Sequence, residues 1–214
     1  MLMNCFNIHT HSIPSCTQQA IVSLPANTTF INPSITFASI GIHPWQLTEE
    51  NAKEQWNSLQ NNLKDKRIIA IGEAGLDKLK GPSMELQTVI FQKEIELAES
   101  LRLPMIIHCV RAHNELLQLK KIHNPEQPWI IHGFRGKPSV AQAYVKHGCW
   151  LSFGEKFQEE ALRTTPINRL FIETDDTEVS IHHIYQHIAN VQRISLKELT
   201  ETINKNIQEV FFKP

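Results

Sequence analysis

The stretch PMIIHCVRAHNELLQLKKIHNPEQPWIIH, residues 104–132, decides the fold. It reads as a short apolar run, a longer helical pattern and a second short apolar run, so a strand, a helix and a strand follow one another. Each run opens on a proline and closes on a histidine, His108 and His132. The same alternation extends in both directions. RIIAIGEAGLD (67–77) precedes it as a strand, followed by the helical SMELQTVIFQKEIELAESLRL (83–103). There Leu86, Ile90, Phe91, Ile95, Leu97, Ala98 and Leu101 fall on one stripe, and Pro104 stops the helix. Beyond residue 132, SVAQAYVKHG (139–148) reads as a helix ended by Gly148. CWLSFG (149–154) and RLFIETD (169–175) read as strands, and LKELTETINKNIQEVFF (196–212) as a closing helix.

Toward the amino terminus CFNIH (5–9), AIVSL (20–24) and ITFASIGIH (35–43) are strand-like, and TEENAKEQWNSLQNNLKDK (48–66) is a helix with Thr48 as its expected N-cap. Eight strands, mostly followed by helices, predict an α/β fold of the (β/α)₈ TIM-like barrel type, in which active sites occupy the C-terminal ends of the strands. The chain has 214 residues, short against the roughly 250 of such barrels. Residues 13–37 hold no convincing helix, so the first crossovers are expected to be reduced to loops or a hairpin. One domain, residues 1–214, is expected, with no internal repeat or linker.

Composition narrows the partners. The formal net charge is −1 and gives no general attraction for polyanions. No apolar run is long enough to span a bilayer, and the opening residues lack signal-peptide character. A cytoplasmic location, no membrane association and no stable protein partner are expected. Cys5, Cys16, Cys109 and Cys149 lack thiolate-site spacing and are expected to be free thiols. Trp45, Trp56, Trp129 and Trp150 are scattered and supply no stacking track for nucleic acid.

The chemistry starts from FNIHTHS (6–12). Side chains two apart on a strand share a face, so His9 and His11 can converge on one ion. Ligand-type residues recur at later strand tips: Glu73 after IIAIG, His108, His132 and Asp175. Six such groups gathered at one apolar mouth are unfavourable without a cation. They exceed what one tetrahedral ion needs, so two divalent ions are expected, with Glu73 placed to bridge them. Zinc, manganese, nickel and iron suit this donor set; magnesium stays a candidate although it leans almost wholly on oxygen.

FNIHTHS, GIHPW, IGEAGLD, LPMIIHCVRAHNELL, IIHGFRG, WLSFG and FIETD stand in an order and spacing that resembles the TatD-type metal-dependent hydrolases, a branch of the amidohydrolase-like barrels. The resemblance implies a metal-dependent phosphodiesterase, most specifically a deoxyribonuclease, acting on DNA or a small phosphodiester. It also implies His9, His11, Glu73, His108, His132 and Asp175 as metal ligands. Asp175 and Glu73 are the expected catalytic pair, Asp175 as general base. His43, Arg111 and Arg135 are expected at the substrate, Lys78 and Lys80 can add local positive charge, and Asp77 orients a neighbour or the backbone. His113, His123, His147, His182, His183 and His187 are expected to be surface or packing residues. The loop after Asp175 turns quickly into a helix, so the substrate loops are shortened. Hydrolysis of an amide, lactone or phosphomonoester, and a non-catalytic metal-stabilised barrel, are the competing expectations.

Overall fold

A computed structural model of the chain describes residues 5–212, so residues 1–4 and 213–214 of the expected domain lie outside the described range. Eight strands, β1 (Asn7–Thr10), β2 (Ala20–Pro25), β3 (Phe37–Gly41), β4 (Ile68–Asp77), β5 (Met105–Val110), β6 (Trp129–Ile131), β7 (Trp150–Phe153) and β8 (Leu170–Ile172), form one sheet in sequential order. All seven neighbouring pairs are parallel. β8 meets β1 through an isolated bridge, Thr10 to Asp175. The His11 amide donates to the Asp175 carbonyl (3.2 Å) and the Asp175 amide to the His9 carbonyl (3.0 Å). The nearly closed barrel is therefore sewn up at its C-terminal rim by the backbone of three candidate ligands.

Helices α1 (Ala52–Asn62), α2 (Met84–Leu101), α3 (His113–His123), α4 (Pro138–Lys146), α5 (Glu159–Thr164), α6 (Ile181–Gln192) and α7 (Leu196–Phe211) surround the sheet. Ser83, Ser180 and Ser195 cap α2, α6 and α7 by accepting the amides of Leu86, His183 and Glu198. The first crossovers are loops. A single 3₁₀ turn, Thr17–Gln19, joins β1 to β2, and residues 26–36 join β2 to β3 without a helix. Because both pairs are parallel, no hairpin forms.

Three local expectations shift. α1 begins at Ala52 instead of beside Thr48, because the side chains of Thr48 and Asn51 each accept the other's amide in a turn before the helix. Leu101 is exposed at the end of α2, and the buried stripe of that helix instead takes in Gln87 and Glu94. β4 runs to Asp77 as the 67–77 reading has it, so Glu73 lies inside the strand and not at its tip, and the register with β5 slips between Ile71 and Ala74. That irregularity contains Glu73 and turns its carboxylate into the barrel mouth, as bulges do beside active sites.

The large apolar cluster runs through β1 and β4–β8 to α2–α7, with Trp129, Tyr144, Tyr185 and Phe171 among its fully buried side chains. A smaller one, including Val22, Ile40, Leu59 and Ile68, fills the side where helices are missing. The strand tips carrying the polar groups thus stand on a packed base.

Candidate metal centre

Glu73 lies at the middle of the mouth, 6% exposed. On one side its Oε2 stands 3.4 Å from Nε2 of both His9 and His11. On the other its Oε1 lies 2.7 Å from His132 Nε2, 3.0 Å from His108 Nδ1 and 3.0 Å from His43 Nε2. Asp175 Oδ1 closes the first group at 3.6 Å from His9 and 3.4 Å from His11. Donor atoms lie within 4.8 Å of one another in each of four groupings: His9, Glu73 and His132; His9, His11 and Asp175; His43, Glu73 and His108; and His132, Glu173 and Asp175.

The six residues expected as ligands therefore converge, and His43 joins them. Arg135 is exposed on the edge of a cavity of about 170 Å³ that Glu173 and Asp175 also line. Arg111 is exposed one residue beyond β5. Lys78 is held away by an ion pair with Glu115, 2.6 Å, whereas Lys80 lies over Trp45, 3.8 Å from the ring centroid. Asp77 braces its surroundings: Oδ1 accepts the amides of Leu79 and Lys80, and Oδ2 accepts Trp45 Nε1 at 2.7 Å and stands 3.0 Å from His108 Nε2. None of the six outlying histidines enters a grouping.

Glu173 was not among the expected residues. It is wholly buried, and its Oε1 accepts the Gly133 amide at 2.6 Å and stands 3.4 Å from His132 Nδ1. A signal for it exists in FIETD, where Glu173 and Asp175 repeat the two-residue spacing of His9 and His11.

The donor set fits a divalent cation. Among the described residues neither ring nitrogen of fully buried His9 has a hydrogen-bond partner, and Glu173 Oε2 also lacks one. An unpaired buried polar group costs about 1–3 kcal/mol. A cation bound to such an imidazole and to neighbouring carboxylates removes that cost, and mixed nitrogen and oxygen donors suit zinc, manganese and related ions.

The protein's own charges point the same way. Burial alone would raise the Asp175 carboxyl, but His11 and His9 hold it well below the ordinary carboxylate range. Glu73 is likewise held well below its usual value, because His132, His108 and His11 outweigh its burial. Asp175 and Glu73 together push His11 up to about 9. The mouth thus keeps two ionised carboxylates and draws positive charge toward them. His43 moves the other way, lowered by burial more than Glu73 raises it.

A parallel eight-stranded barrel with histidines and carboxylates packed at its C-terminal mouth defines a metal-dependent hydrolase of the amidohydrolase-like class. The family model described as TatD related DNase matches residues 10–212, and the chain belongs to the TatD family of metal-dependent hydrolases. It is 23% identical over 201 residues to the uncharacterized metal-dependent hydrolase YjjV of Escherichia coli, covering 83% of this chain and 77% of that one. To the uncharacterized metal-dependent hydrolase YabD of Bacillus subtilis it is 28% identical over 201 residues, 82% of this chain and 77% of the other. With the human deoxyribonuclease TATDN3 it shares 29% identity over 175 residues, 71% and 62% of the two chains. The crystal structure of YjjV superposes with a TM-score of 0.84 at 20% identity, over 100% of both chains. No described helix is long and apolar enough to cross a membrane.

Proposed function

We propose that the chain hydrolyses phosphodiester bonds, with DNA as its substrate class, with two divalent cations that His9, His11, Glu73, His108, His132 and Asp175 would hold. The observation carrying this reading is the split of the Glu73 carboxylate: Oε2 faces His9 and His11, and Oε1 faces His132, His108 and His43. Each Glu73 oxygen thus has its own set of donors, so this carboxylate would serve both halves of the site. His9, His11 and Asp175 complete one side, and His108 and His132 the other. When bound, the cations supply Lewis acidity and bring the ionisation of water toward neutral pH.

Asp175 is the general base. It is the more open of the two central carboxylates, its side chain 24% exposed against 7% for Glu73, so water reaches it. Its carboxylate is ionised, and it takes the proton of the attacking water. The water oxygen bonds to phosphorus, the ester bond opposite breaks, and the leaving alkoxide takes a proton from solvent. His43, beside Glu73 Oε1, faces the substrate, and Arg135 reaches the phosphate from the edge of the adjoining cavity. The sequence relation to a deoxyribonuclease supports DNA over a small phosphodiester.

Elemental analysis of the purified protein, followed by metal-dependent cleavage of single-stranded and double-stranded DNA, tests the reading. Asp175→Asn is expected to retain most of its metal while turnover falls about 10²- to 10⁴-fold. Metal-loaded protein that leaves DNA and simple phosphodiesters intact, yet opens lactones, amides or phosphomonoesters, overturns it. So does a protein that hydrolyses nothing in that panel but melts earlier on chelation.

A further inference from the structure

We propose that Trp45 is a base-binding surface, on which the base next to the scissile phosphodiester stacks. The proposal rests on the phosphodiesterase reading above and assigns recognition of the base, as distinct from the backbone, to one side chain. Trp45 is 48% exposed, unusual for an indole in a chain that buries Trp129 and Trp150 almost completely. It is also held in place. Its Nε1 donates to Asp77 Oδ2 (2.7 Å), the same oxygen stands 3.0 Å from His108 Nε2, and His108 Nδ1 lies 3.0 Å from Glu73 Oε1. Polar contacts thus run unbroken from the centre of the mouth to the indole.

The ring meets His43 and His108 edgewise, with centroids 5.0 and 5.4 Å away and planes at 75° and 77°. Those contacts fix its tilt at the rim. A nucleotide whose phosphate sits at Glu73 brings its neighbouring base to the ring. A fixed aromatic platform loses little freedom on stacking and accepts any base, because every base has a π-face.

Two neighbours strengthen the assignment. Leu79, on the loop after β4 that also carries Lys80, is 65% exposed. The Lys80 ammonium lies 3.8 Å from the indole centroid and has no carboxylate partner among the described residues, whereas Lys78 is neutralised by Glu115. A flexible ammonium parked on the indole can move to an adjacent phosphate as a base takes its place. With a net charge of −1 the chain offers no broad field for nucleic acid, so local contacts of this kind have to supply the affinity. The platform suits an unpaired base, because a duplex already buries both faces of each base in its own stack.

The test uses the full chain loaded with Mn²⁺ and two probes, a single-stranded oligothymidylate and an abasic oligomer of equal length carrying the same phosphodiesters. Trp45→Ala is expected to lose about tenfold more in kcat/KM on the oligothymidylate than on the abasic oligomer, mainly through KM. Trp45→Phe should recover most of the loss; Trp45→Leu, which keeps bulk without a π-face, should not. Oligothymidylate should also quench wild-type tryptophan fluorescence saturably, and this response should vanish in Trp45→Leu. Equal losses on both probes, or none on either, overturn the proposal while leaving phosphodiester hydrolysis intact. Base-dependent binding and quenching without cleavage of either probe uphold the platform and overturn the hydrolytic reading. Neither binding nor cleavage overturns both.

Discussion

Glu94 shows how a single buried group can set a stability profile. It sits in α2 among Ile90, Phe91, Ile95 and Ala98, fully buried, and its Oε1 accepts the Ile42 amide at 2.7 Å while Oε2 has no partner among the described residues. Burial raises its carboxyl well above the ordinary value of 4.5, and the one amide does not compensate. The folded chain therefore holds a proton that the unfolded chain has released above about pH 4.5. With more protons bound in the folded state, stability falls as pH rises from there toward the folded pKa, by up to about 1.4 kcal/mol per unit. Glu94→Gln, which carries no titrating proton, should flatten that slope. Urea unfolding of both proteins between pH 5 and 8 checks it, and parallel curves refute it. A carboxylate four residues after Ile90 and four before Ala98 was visible in the sequence as a polar group on the core stripe. What the sequence withheld was its partner, an amide 52 positions away.

At the scale of elements, the order of strands and helices was legible because apolar runs and 3.6-residue stripes alternate cleanly from residue 67 onward. Strand-tip residues follow from that order, so the sequence alone puts His9, His11, His108 and His132 at one mouth. The interior of β4 could not be read in the same way. Its bulge depends on backbone approach, and only Gly72 and Gly75 around Glu73 hint at it. Gly75 has φ of +145°, and a Cβ there would collide with the carbonyl oxygen of His108 on β5. Gly148, ending α4 with φ of +75°, has open space around it. Gly75→Ala should therefore cost roughly 2–4 kcal/mol and move His108 off its place. Gly148→Ala should cost only about 1 kcal/mol, the strain of the left-handed backbone. Denaturant unfolding of the two variants separates these outcomes, and equal costs would remove the packing argument for β4.

On the scale of the whole molecule the barrel is nearly closed, with one thin seam. β1 and the end of β8 are joined by two Asn7–Thr174 hydrogen bonds and by one isolated bridge, Thr10 with Asp175, whose two hydrogen bonds run through His9, His11 and Asp175, whereas β4 and β5 pair over five register positions. The side chains of the same three residues stand together with Glu73, so a cation bound there ties β1 and β8 to β4 at the weakest point of the circle. Any ligand that binds only the folded chain adds RT ln(1 + [L]/Kd), about 4 kcal/mol at a thousandfold excess over Kd. For a chain of 214 residues that corresponds to roughly 8–16 °C in Tm. Chelation should lower Tm by that order, and restoring Zn²⁺ or Mn²⁺ should recover it. Amide exchange adds the location: the His11 and Asp175 amides should lose protection on chelation before those of β5 and β6. Uniform loss of protection across all eight strands would mean that the cation stabilises the fold without acting as a clip across its seam.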